Sequence, residues 1–152
     1  MAILFIDIET VPQTEYYNDL TEKEKMLWQH KASFLTKNEE TAEEIYTRAG
    51  IYAEFGKIVV ASLGWMFGDE KNRKLRLTTI ANKNEAKLLE ELVEILQKVD
   101  GTNAVICGHN IKEFDIPYIC RRILVNGLKL PSILDVSAMT PWQTPYTDTL
   151  EM

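Results

Sequence analysis

With 152 residues, 45% of them hydrophobic and 26% charged, the chain has the composition of one globular domain able to bury a core. Its formal net charge of -6 excludes affinity for nucleic acid through a broad basic surface, but not an enzyme that meets phosphates through bound cations. No apolar run approaches a membrane span or a signal peptide, and Cys107 and Cys120 lie in apolar surroundings without metal-ligand spacing, so a cytoplasmic protein with reduced thiols is expected.

The first stretch, Met1 to Thr10, carries the first signal. Ile3, Leu4, Phe5, Ile6 and Ile8 form an almost continuous apolar run and predict a strand buried on both faces. Asp7 and Glu9 sit at its end, and strand alternation points both to one side. Neighbouring carboxylates that lose hydration need protons, hydrogen-bond donors or a cation, and an oxygen-only ligand set suits Mg²⁺ or Mn²⁺. The alternative is that both acids lie past the strand end, solvated or capping a turn.

Pro12 ends the strand, and residues from about 13 to 50 read as a polar helical insert within the single domain, 1–152. There Thr21 and Glu24 have capping-box spacing, and Leu27, Trp28, Ala32 and Leu35 form a helical stripe. A second helical stretch, Thr41 to Ala49, ends at Gly50. Lys57–Phe67 and Leu75–Ala81 are predicted strands, joined by a polar hairpin from Gly68 to Arg73. Asn84–Lys98 is the clearest helix, with Leu88, Leu92, Ile95, Leu96 and Val99 at helical spacing. Ala104–Cys107 predicts a short buried strand that runs into Gly108-His109-Asn110. A helix follows Asp115, with Pro117 in its first turn, Ile116, Ile119, Cys120, Ile123 and Leu124 as its apolar stripe, and Gly127 at its end. Pro131 opens a predicted fifth strand, Ile133–Val136, and Ser137–Met152 shows turn residues (Pro141, Pro145, Asp148) without a period. The sum is an α/β domain, a mixed five-stranded sheet with flanking helices.

Asp115 follows a loop that leaves a buried strand, the sheet edge from which functional loops emerge. Convergence with Asp7 and Glu9 would build a two-metal site with ions roughly 4 Å apart. Alone, Asp115 reads first as a helix N-terminal residue, where Asp is commonly a cap. Asn110 is either a turn residue or a contact to a sugar or phosphate, and His109 either a structural turn residue or a general base. Arg121 and Arg122 are the nearest cations, placed to meet a phosphate backbone or to lie solvated.

FIDIET together with GHNIKEFDIPY resembles the first two motifs of the DEDD (DnaQ-like) 3′–5′ exonucleases, and among them the stand-alone bacterial proteins similar to the proofreading domain of family B DNA polymerases. The first motif, Asp-x-Glu, falls on Asp7 and Glu9. The second, Asn-x-x-x-(Phe/Tyr)-Asp, falls on Asn110, Phe114 and Asp115. Tyr52 to Ile58, YAEFGKI, is similar to the family's start of the strand after the insert. The resemblance implies a ribonuclease H-like fold and removal of nucleotides from nucleic-acid 3′ ends, with single-stranded DNA as the expected substrate. It implies that Asp7 bridges two Mg²⁺ or Mn²⁺ ions, Glu9 holds the first and Asp115 helps hold the second. Thr10 and Phe114 would position the terminal nucleotide, with Asn110 near its sugar and His109 beside it in the substrate site.

The family's third motif is a fourth acid with Tyr four residues before it or His five residues before it. Four residues after the tyrosines stand Leu20, Thr21, Gly50, Gly56, Arg122 and Leu150, and five after the histidines stand Leu35 and Phe114. None is Asp, so the motif is absent from these residues, and Asp135 and Asp148 are the substitutes to weigh. The expectation is a domain truncated before its last helix, impaired or inactive as an exonuclease, with one sheet face covered by a partner or a second copy. The alternative function is a non-catalytic exonuclease-fold fragment that binds nucleic-acid ends or a protein partner.

Overall fold

The computed structural model describes residues 2–36, 40–137, 139 and 144–152. The chain divides into two compact units, Met1–Glu9 with Ile58–Met152, and Thr10–Lys57.

The first unit holds a five-stranded mixed sheet in the order β3-β2-β1-β4-β5, formed by β1 (Ile3–Pro12), β2 (Gly56–Phe67), β3 (Lys74–Ala81), β4 (Val105–Gly108) and β5 (Tyr146–Asp148). β2 and β3 are an antiparallel pair, whereas β4 lies parallel to both β1 and β5. Alternation along β1 buries Leu4, Ile6 and Ile8 and leaves Ile3 and Phe5 half-buried. The strand is therefore buried on one face only, not on both as its apolar run suggests. Phe5, Gly64 of β2 and Leu77 of β3 share the other face, where Leu75 is 57% and Leu77 74% exposed, and no helix among the described residues covers them.

Two helices supply the core of the covered face. α2 (Glu85–Val99) is capped by Asn84 and buries Leu88, Leu89, Leu92, Val93, Leu96 and Val99, while Ile95 stays half-buried. It packs on β3, on α3 (Asp115–Val125) and on the 3-10 turn Ser132–Leu134. α3 buries Ile116, Tyr118, Ile119 and Ile123; Leu124, expected in its stripe, is exposed. Cys107 is buried, Cys120 half-buried, and both are free. No helix among the described residues is long and apolar enough to cross a membrane.

The fifth strand is not Ile133–Val136. That segment starts as the 3-10 turn, closed by the Leu134 N–H on the Pro131 carbonyl at 3.0 Å, because proline fixes the φ that such a turn needs. The strand comes instead from Tyr146–Asp148, paired Ile106↔Tyr146 through Gly108↔Asp148. Three residues are too few to show a period. Of the tail's expected turn residues, Pro141 lies outside the described residues.

In the second unit, α1 (Glu22–Ala32) opens with the expected capping box, Thr21 and Glu24 each bonding the other's main-chain N–H at 3.3 and 2.8 Å. It buries Trp28 and Ala32 and leaves Leu27 exposed. The Trp28 indole donates to the Ala42 carbonyl at 2.7 Å, and its ring meets Tyr46 and Phe55 edge-on. Thr41–Ala49 does not form an α-helix; turns lead into a 3-10 helix, Tyr46–Ile51, that contains Gly50 rather than ending before it.

Candidate active site

On β1 the residues opposite Leu4, Ile6 and Ile8 include Asp7 and Glu9, both exposed. Thr10, half-buried, is the β1 residue at which the second unit begins. Asp115 arrives from the other end of the chain. β4 leaves the sheet at Gly108, and the following turn is tightened by the Phe114 N–H on the Asn110 carbonyl, 2.9 Å, and the Ile116 N–H on the Ile111 carbonyl, 3.0 Å. α3 then begins with Asp115, 4% exposed.

The Ile8 N–H donates to Asp115 Oδ1 at 3.1 Å, across a sequence separation of 107. This bond sets Asp115 against the strand residue that lies between Asp7 and Glu9. Burial pushes the Asp115 carboxyl up to about 6; the Ile8 N–H favours its charged form, but the facing charge of Asp7 pushes it up again. Exposed Asp7 and buried Asp115 are thus oxygen donors whose charges oppose each other, an arrangement that fits a hard divalent cation. Among the described residues, no group of three or more His, Cys, Asp or Glu is gathered closely enough to hold an ion. The expected set is therefore a pair, with Glu9 exposed on the same strand.

Around the pair stand the remaining predicted residues of this unit. His109 is exposed, its Nδ1 3.0 Å from Thr149 Oγ1. Asn110 is half-buried with φ +56°, the left-handed region that asparagine tolerates better than most residues. Phe114 is half-buried, its ring 5.5 Å from that of Tyr118. Phe5, Asp7, Leu75, Leu77, His109 and Thr149 line a groove of about 510 Å³ on the uncovered face of the sheet, which reaches Asp7.

Two expectations change. Arg122 is neither solvated nor placed for phosphate: it is 6% exposed, and its Nε and Nη2 donate to the Glu85 carboxylate at 2.9 and 2.5 Å. Asp148 is not a free substitute acid, because it is 5% exposed and its carboxylate accepts three main-chain N–H groups. Asp135 is exposed and bonds Ser137.

Gly108 is required by a close approach. A Cβ there would lie 2.8 Å from the Ile6 carbonyl oxygen and 2.9 Å from Ile111 Cδ1, so only glycine lets β4 lie this close to β1 beside the acids. Gly108→Ala is expected to cost about 1–3 kcal/mol by overpacking. A lowered urea midpoint at unchanged slope would show it.

The family model of the exonuclease domain of DNA polymerase family B matches residues 2–143, nearly the whole chain and both acidic motifs. No curated protein and no solved structure matches.

Proposed function

The chain belongs to the family of the DNA polymerase family B exonuclease domain, a family of nucleases with a ribonuclease H-like fold that use divalent metals, and from that membership we propose a two-metal-ion 3′–5′ exonuclease acting on single-stranded DNA ends. The observation that carries the proposal is the Ile8–Asp115 hydrogen bond, which brings the second acidic motif against the first.

Asp7, Glu9 and Asp115 would hold Mg²⁺ or Mn²⁺. When bound, such ions supply a hydroxide near neutral pH and stabilise the leaving oxygen and the charge on phosphorus. The chain's own residues do the rest. Asp115 is held in place by Ile8, and a bound cation would favour its charged form against burial and the facing charge of Asp7. Asn110, Phe114 and His109 would position the terminal nucleotide. The third motif's acid is not among these residues, and we propose a rate about 10²–10⁴-fold below that of a site carrying it.

The expected result is slow, Mn²⁺-dependent shortening of 5′-labelled single-stranded DNA with release of mononucleotides, abolished by Asp7→Ala. Equal release by both proteins would dismiss the enzyme and leave the non-catalytic binding domain. The exposed Leu75 and Leu77 support a second copy of the chain over the open face. Light scattering is expected to report a dimer that Leu77→Lys splits into monomers; a monomeric parent protein would count against the pairing.

A further inference from the structure

We propose that Asp148 is a positioning residue of the candidate active site: its carboxylate acts as an internal anion that locks the turn from Gly108 to Lys112 and thereby sets Asn110 and Asp115. The inference rests on the metal-site reading for its consequence, and on the geometry of the turn for its mechanism.

The turn is built to bind an anion. Asn110 takes the left-handed conformation, φ +56°, and backbone that changes hand in this way points successive N–H groups into one concavity. In many proteins such a nest receives a phosphate or a bound anion; here a side chain of the same chain fills it. Asp148 Oδ1 accepts the Asn110 N–H at 2.8 Å and the Leu150 N–H at 3.0 Å, and Oδ2 accepts the Lys112 N–H at 3.1 Å. A carboxylate 5% exposed is tolerated there because donors reach both of its oxygens.

The neighbours of Asp148 reinforce the same contact. Thr149 Oγ1 donates to the Gly108 carbonyl at 3.2 Å and lies 3.0 Å from His109 Nδ1. Glu151 pairs with the Lys112 ammonium at 2.6 Å. Asp148 to Glu151 thus grip the turn at Gly108, His109, Asn110 and Lys112, and β5 holds the grip in register through Gly108↔Asp148. The turn hands its geometry on directly, since the Asn110 and Ile111 carbonyls accept the Phe114 and Ile116 N–H groups that flank Asp115. Because both of its oxygens are engaged by main-chain N–H groups, Asp148 is assigned to the loop that leads to Asp115.

The oxygens can be tested separately. Asp148→Asn keeps an acceptor for Asn110 and Leu150 but turns a donor toward the Lys112 N–H; Asp148→Ala removes both acceptors. Amide hydrogen exchange of the full chain is expected to show Lys112 exchanging at least about tenfold faster in both variants, Asn110 faster only in Asp148→Ala, and Ile106 in β4 unchanged. Mn²⁺ binding, followed by electron paramagnetic resonance, is expected to weaken about 10–100-fold in Asp148→Ala, the loss typical of a residue that supports metal ligands. Unchanged exchange at Asn110 and Lys112, equal acceleration through β4, or a loosened turn with undiminished Mn²⁺ affinity would each overturn the proposal. A parent protein that binds no Mn²⁺ would overturn the metal reading, and the exchange arm would still decide whether Asp148 locks the turn.

Discussion

Asp115→Asn is expected to make the protein more stable and to remove the proposed nuclease activity. Asparagine keeps an oxygen for the Ile8 N–H, 3.1 Å away in the parent, and removes a buried negative charge that faces Asp7. The wild-type carboxyl is pushed from an ordinary 3.8 up to about 6, so above pH 6 the folded protein carries a charge that burial disfavours. A shift of roughly two pH units corresponds to about 3 kcal/mol at most. Because the folded value lies above the unfolded one, the wild type has this contribution in full below about pH 4 and loses it as pH rises through 6. The two proteins should therefore melt alike near pH 4, and Asp115→Asn should melt roughly 5 °C higher at pH 7.5. Mn²⁺-dependent cleavage should meanwhile fall by at least about 10²–10³-fold, the loss that follows removal of one group stabilising developing charge. An unchanged or lower melting temperature at pH 7.5 would contradict the picture of two opposed acids.

Arg122→Met is expected to be the most destabilising single change. The Glu85 carboxylate accepts the Arg122 guanidinium at two points, the Ile58 N–H at 2.8 Å and the Asn126 amide at 3.1 Å, tying the start of α2 to β2 and to α3. The charged side chains are only 8% and 9% exposed. Burial pushes the Glu85 carboxyl up, but the bonds from Arg122 and the Ile58 N–H outweigh it and hold it below the ordinary range. Removing the guanidinium leaves a buried, unpaired carboxylate, at a cost of about 3–5 kcal/mol against a total stability of about 5–15. In the parent, the pair contributes above pH 4.5 and is lost as acid protonates Glu85. Thermal melts should fall by roughly 10 °C. Adding Glu85→Gln, which keeps an acceptor for Ile58 without the lone charge, should recover a good part of the loss; additive losses would rule out the coupling.

The parts of this fold that the sequence announces are those long enough to show a period. α2 and α3 repeat their apolar residues every three or four positions, and β2 and β3 flank a polar hairpin. The acids of β1 were legible for the same reason, since strand alternation alone puts Asp7 and Glu9 on one side. What stayed hidden depends on tertiary register. Tyr146–Asp148 is a strand because β4 offers it an edge, and its three residues carry no pattern of their own. Arg122 looks like any cation on a helix until α2 places Glu85 opposite it. Asp148 looks like a turn residue until a left-handed Asn110 aims the main chain at it. The one local clue was Asn110 itself, a residue type that adopts that conformation, in a Gly-His-Asn turn.

The bond from Ile8 to Asp115 spans a separation of 107 residues, and this bears on how the protein comes into being. Contacts so distant along the chain are the slow ones to form, since their closure entropy must be met before they bring any return. During synthesis Asp7 and Glu9 precede Asp115 by β2, β3, α2 and β4, and wait for all of them to be made. The proposed metal site can therefore assemble only once residue 115 has been made and packed against Ile8, so a chain arrested before that point lacks it.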